Sequence, residues 1–176
     1  MSGQKTTAGG CLGFLRVLEL DGGGFLGGVL VTNQIGRPLE FQCTTPVKPN
    51  RTQVILYGPT LAPFVYSELI GKTLFGRLDI KPQLIIVDQD ALLDLRLHVP
   101  AQVARLANTK DDVSELPDEL KLQCGRHHLS FHSDFPQDRD DAAGLLAALP
   151  GDADLREPLE RVTEALKETL RTNAVA

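Results

Sequence analysis

The chain has 176 residues, enough for one domain with a sizeable core, and with seven Phe, two Tyr and no Trp that core must be filled by Leu and Val. Its net charge of −5 argues against broad nucleic-acid binding, which draws its affinity from neutralised phosphates. Three widely spaced cysteines exclude a disulfide framework, and no apolar run approaches the roughly 18 residues of a membrane helix, so a cytoplasmic protein away from the membrane is expected.

Residues 1–10 read as a flexible tail and 11–150 as a single domain. Leu12–Leu20 is an apolar first strand. Gly22, Gly23, Gly24, Gly27 and Gly28 follow it. Gly22–Gly27 has the G-x-G-x-x-G spacing of dinucleotide loops, but that motif needs a helix after its third glycine. Here Gly28-Val29-Leu30-Val31-Thr32 is β-branched, so a turn leads into a second strand, Phe25–Thr32. Asn33–Gly36 is a turn and Arg37–Cys43 a third strand, which makes 25–43 a hairpin. Pro46 and Pro49 break the chain. Asn50 and Gln53 form a capping box for a short helix ending at Gly58. Thr60 opens a longer helix, and Leu84–Val87 is a buried strand.

Asp90–Leu97 reads as one or two helical turns, His98–Ala107 fits a strand or a helix, and Thr109–Asp118 is an acidic loop. Glu119–Cys124 and His127–His132 straddle Gly125-Arg126 as a second hairpin. Asp138–Leu149 is a helix. Residues 151–176 form an amphipathic helix with Leu155, Leu159, Val162, Leu166 and Leu170 on one side, expected to pack on the domain. Most of the negative charge lies in 101–176, with nine Lys/Arg against fifteen Asp/Glu. The fold expected is α+β, with mixed α/β as the alternative: a largely antiparallel sheet, helices packed on one face, and the C-terminal amphipathic helix.

Three places carry candidate chemistry. The first is Cys43–Arg51, a polar loop between a strand and a helix start. Thr44, Thr45, Lys48 and Arg51, with the free amides at 51–53, offer donors for an anion. Cys43 is a candidate nucleophile there. The second is the strand end Leu84-Ile85-Ile86-Val87-Asp88-Gln89-Asp90, where two carboxylates offer oxygen ligands for a divalent cation. These seven residues resemble the first motif of haloacid-dehalogenase-like phosphatases. The resemblance implies Asp88 as nucleophile and Asp90 as general acid, though that family's Ser/Thr, Lys and acidic motifs are not found elsewhere in the chain. The third is Cys124, His127, His128 and His132, a loose metal pattern whose strand alternation puts His127 on the face opposite His128 and His132.

Because these motifs are incomplete, the sequence reads first as a non-enzymatic binding or regulatory module. It would act through a protein partner or self-association and need no cofactor. The alternative is a metal-dependent hydrolase, phosphatase-like enzyme or metalloprotein using Asp88/Asp90 or the Cys124/His127/His128/His132 group, with a divalent metal. The order of elements has the general look of profilin-like or roadblock/longin-like modules.

Overall fold

The computed structural model describes residues 10–175, so the tail expected over 1–10 lies outside the described residues except for Gly10. Seven strands form one sheet in the order β3-β2-β1-β4-β5-β7-β6. They are β1 (Leu12–Glu19), β2 (Phe25–Thr32), β3 (Pro38–Cys43), β4 (Leu84–Val87), β5 (Gln102–Leu106), β6 (Lys121–Cys124) and β7 (His127–Phe131). β1, β2 and β3 form an antiparallel meander. β4 runs parallel to β1, and β5 parallel to β4. β7 returns antiparallel to β5 and pairs with β6. The fold is α+β with a largely antiparallel sheet, and the parallel pairings sit at its centre.

That centre explains why Leu84–Val87 is apolar at every position: both its faces are covered. One face packs α1 (Arg51–Arg77) and the 3-10 stretch Asp90–Leu97, through Val65, Ile70, Leu74, Leu92 and Leu95. α2 (Asp111–Ser114) is a single turn within the segment expected as a loop. α3 (Asp138–Leu146) and α4 (Glu157–Val175) cover the other face, with Leu155, Leu159, Val162 and Leu166 buried. The helices therefore lie on both faces, not on one. The single-face expectation failed because β4 and β5 were not recognised as a parallel pair joined by a crossover. β5 settles the ambiguous 98–107 stretch as a strand, with Val103 and Ala104 on opposite faces.

The glycines after β1 divide into two groups by role. Gly23, at φ 85°, sits in the turn, where Leu20 and Gly24 close the loop. Gly27 and Gly28 are inside β2 and face opposite helices. A Cβ on Gly27 would stand 2.1 Å from Ile70 Cγ2, and one on Gly28 would stand 2.9 Å from Leu166 Cδ2. The pair lets α1 and α4 approach the sheet closely from its two sides.

α1 is irregular for a definable reason. Pro59 and Pro63 each lack an N–H, and each ring crowds the carbonyl four residues earlier. The helix passes through a 3-10 turn at Gly58–Thr60 and a π stretch at Phe64–Gly71. Tyr57 stacks on Phe64 with ring centroids 4.2 Å apart, which ties the first turns to the rest. Among the described residues, Arg51–Arg77 is long and apolar enough to cross a membrane by length and composition. Val65, Ile70 and Leu74 of this helix are fully buried against the sheet.

Candidate functional site

The carboxyl ends of β1, β4 and β5 lie side by side, the position at which open sheets with parallel strands bind ligands. Because Phe14 pairs with Ile86, the next residues on the same face are Arg16 and Asp88. Arg16 interrupts the apolar series Leu12, Phe14, Leu18 on the α4 face. Its Nε donates to Asp88 Oδ1 at 3.2 Å, and its Nη2 donates to Asp88 Oδ2. Its Nη1 donates to Thr163 Oγ1 at 2.8 Å and to the Leu159 carbonyl at 3.3 Å, both on α4. Asp88 is 10% exposed and Arg16 17%, so this bidentate pair is largely withdrawn from water. Arg156, before the start of α4, brings Nη1 to 3.5 Å from Asp88 Oδ2 and donates through Nη2 to the Ala107 carbonyl at 2.9 Å. Two guanidinium groups thus face one carboxylate, leaving a surplus positive charge.

The neighbouring side chains are also engaged. The Gln89 amide grips β1, accepting from Val17 N–H at 2.8 Å and donating to the Val17 carbonyl at 2.8 Å. Asp90 is 89% exposed and pairs at 3.2 Å with Arg105, which points to the α1 face. The two carboxylates of the D-x-D motif are therefore not brought together.

The Cys43–Arg51 loop arrives at the same edge. Val47 exchanges two 2.7 Å backbone hydrogen bonds with Phe25, the residue that pairs with Glu19 at the end of β1. Lys48 and Arg51 stand exposed on it, and no carboxylate pairs with either among the described residues. Thr44 is not available to an anion: its hydroxyl oxygen accepts the Gly27 N–H at 3.1 Å in a buried bond. The Asn50 side chain caps the helix by accepting Gln53 N–H at 2.8 Å, so that amide is taken as well. Thr45 is exposed. Cys43 packs into the apolar cluster beneath α4.

The histidine group does not assemble. Cys124 and His127 are cross-strand neighbours, and burial pushes the Cys124 thiol up from its ordinary pKa. The His127 Nε2 accepts the Leu155 N–H at 3.2 Å, and burial holds this imidazole below the usual histidine pKa, against the opposing pull of Asp154. His128 lies on the other face. His132 is 3.4 Å from Asp94 and accepts the Asp134 N–H at 3.1 Å. Among the described residues no group of three or more His, Cys, Asp or Glu is placed to hold a metal ion. The expected Cys124/His127/His128/His132 centre is corrected accordingly: alternation along β7 divides its members, and His127 and His132 are committed to other partners.

Arg16 and Arg156 are the site residues that sequence reasoning missed. The signal for Arg16 was present, as a lone cation on the buried face of an apolar strand. Arg156 had none, because its partner Asp88 lies 68 positions away in the chain.

Solved structures of endonuclease V share the overall fold of this chain. The catalytic domain of human endonuclease V matches with a TM-score of 0.58 at 12% identity, covering 97% of this chain and 87% of that one. A second structure of human endonuclease V matches at 0.54 and 12% identity, covering 94% and 86%. Endonuclease V of Ciona intestinalis, solved with a 24mer DNA containing an inosine followed by a ribo-adenosine, matches at 0.55 and 9%, covering 93% and 86%. At these identities the likeness is one of fold. No protein-family model matches the chain, and no curated protein sequence does.

These structures overturn the expectation of a non-enzymatic regulatory module acting through protein contacts, because the solved proteins sharing the fold are endonucleases. The expectation of no broad nucleic-acid binding is corrected with it, because one of these structures holds an inosine-containing DNA. Nucleases commonly work with a bound divalent cation. The residues present here do not fit one. Both Asp88 oxygens are held by Arg16, and Asp90 faces away.

Proposed function

We propose that this chain is directed at nucleic acid and lays a strand along the carboxyl edge of β1, β4 and β5. The observation that carries the reading is the charge arrangement there. Arg16 and Arg156 outnumber the Asp88 carboxylate, and Lys48 and Arg51 stand exposed on the adjoining loop. Arg156 is 31% exposed, so it is the member of the buried cluster within reach of a phosphate. Cations in this position neutralise backbone phosphates and release counterions, the main sequence-independent source of affinity. Val54, Ile55 and Leu56 are exposed on the first turns of α1, just past Arg51. They set apolar surface beside the cations, a combination suited to touching bases while the phosphates are held. The fold shared with endonucleases, one of them bound to DNA, favours a nucleic acid over other polyanions.

In this reading Arg16 is a positioning residue: it ties β1, β4 and α4 together and fixes the carboxylate that faces Arg156. Lys48, Arg51 and Arg156 make the contacts to the strand. Fluorescence anisotropy with labelled single- and double-stranded oligonucleotides, run alongside a gel assay for cleavage, tests it. The expected result is binding that weakens steeply with salt and drops when Lys48 and Arg51 are replaced by Ala. Absence of binding at low ionic strength, or binding indifferent to those substitutions, overturns it.

A further inference from the structure

We infer that the Arg16 guanidinium takes the place of a divalent cation at Asp88, so that the carboxyl-edge site works without a metal. The inference rests on the proposed strand binding for its functional meaning, and on the geometry alone for its chemistry.

Among the described residues, Asp88 is the one carboxylate at this edge that is both largely buried and on the α4 face with Arg16. A divalent cation there would need its oxygens as ligands, together with two or more further oxygen donors. Neither condition is met while Arg16 is in place, because the same guanidinium also holds the Thr163 hydroxyl and the Leu159 carbonyl oxygens. Arg16 bonds both Asp88 oxygens, and Arg156 adds a second positive charge 3.5 Å from Oδ2. The adjacent Gln89 carbonyl oxygen is spent on Val17 N–H, and the nearest carboxylate in sequence, Asp90, is turned to Arg105. Four N–H groups of Arg16 are used, two on Asp88 and two on α4, so the guanidinium is fixed in place. An ion entering would have to displace a bidentate, partly buried pair and meet the repulsion of two cations. Removing the arginine side chain therefore frees a largely buried carboxylate together with the Thr163 hydroxyl and the Leu159 carbonyl, a set of oxygens that a divalent ion can hold with only Arg156 left to oppose it.

The test titrates the wild-type chain, Asp88→Asn, Arg16→Ala and the double variant Arg16→Ala/Asp88→Asn with Mn²⁺, reading the free-ion signal by electron paramagnetic resonance. The expected outcome is that wild type and Asp88→Asn leave Mn²⁺ equally free, Arg16→Ala captures it, and the double variant loses that capture. Oligonucleotide binding by the wild type should be unchanged by EDTA. Mn²⁺ binding by the wild type that disappears in Asp88→Asn overturns the inference, as does oligonucleotide binding abolished by EDTA. A folded Arg16→Ala that still leaves Mn²⁺ free also counts against it. If Arg16→Ala does not fold, the comparison of wild type with Asp88→Asn still decides. A chain that binds no oligonucleotide at all defeats the proposed function, and the Mn²⁺ comparison then decides this inference separately.

Discussion

Replacing Gly27 with Ala tests how the sheet and α1 are fitted together. The added Cβ would lie 2.1 Å from Ile70 Cγ2 and 3.3 Å from Leu74 Cδ1. Both residues are fully buried, so neither has open space to retreat into. Overpacking of this kind costs about 1–3 kcal/mol, against which the lower entropy of the unfolded Ala chain returns roughly 0.4–1 kcal/mol. The clash is severe enough to put the variant at the upper end, near 2 kcal/mol net, or a fall in Tm of about 4–8 °C for a chain of this size. Urea unfolding followed by far-ultraviolet circular dichroism measures it. Ile70→Ala should recover part of the Gly27→Ala penalty, because the new Cβ would stand an ordinary 3.5 Å from the Ile70 Cβ. A neutral Gly27→Ala, or strict additivity in the double variant, refutes the close-approach explanation of the glycine pair.

Two pH effects and one truncation follow from the same structure. Burial lowers the His127 pKa, so in acid the unfolded chain takes up a proton that the folded chain refuses. Stability is then fully present above about pH 6.5 and falls as the pH drops toward the folded value, and His127→Gln, which keeps an acceptor for Leu155 N–H, should flatten that fall in urea midpoints between pH 7.5 and 5.5. Burial works against the Glu40 charge, but N–H donors from Asp79 and Ile80 outweigh it and hold the carboxyl below its ordinary pKa. Its contribution is present above the unfolded pKa and lost as the pH falls through the folded one. Glu40→Gln should cost about 1–2 kcal/mol at neutral pH and progressively less below pH 4, and an equal cost at both would contradict this. Leu166→Ala should cost about 2–5 kcal/mol in the same unfolding assay, because this fully buried side chain fills the space above Gly28.

The strands were legible where alternation or an unbroken apolar run expressed local geometry. β2 and β4 appear with the expected boundaries, and the Asn50/Gln53 capping box forms as its spacing implies. The failures share a cause, which is that they depended on contacts distant in the chain. β5 carries Arg105 in mid-strand, and its strand character comes from pairing with β4. The D-x-D motif looked like a carboxylate pair because the sequence cannot say that Asp88 and Asp90 face opposite sides of the sheet. Thr44 looked free because its partner, Gly27, lies in another strand. Arg16 was readable as an oddity in an apolar strand, but its meaning appeared only when β1 and β4 came together.

The central claim is that nucleic acid binds at the carboxyl edge through a few defined cations. The measurement that tests it most directly is the salt dependence of oligonucleotide affinity for the wild type and for Lys48→Ala/Arg51→Ala. The account predicts that log K falls linearly with log salt in the wild type, and that the double variant binds more weakly with a slope shallower by about two. An unchanged slope and affinity in a folded double variant would contradict it.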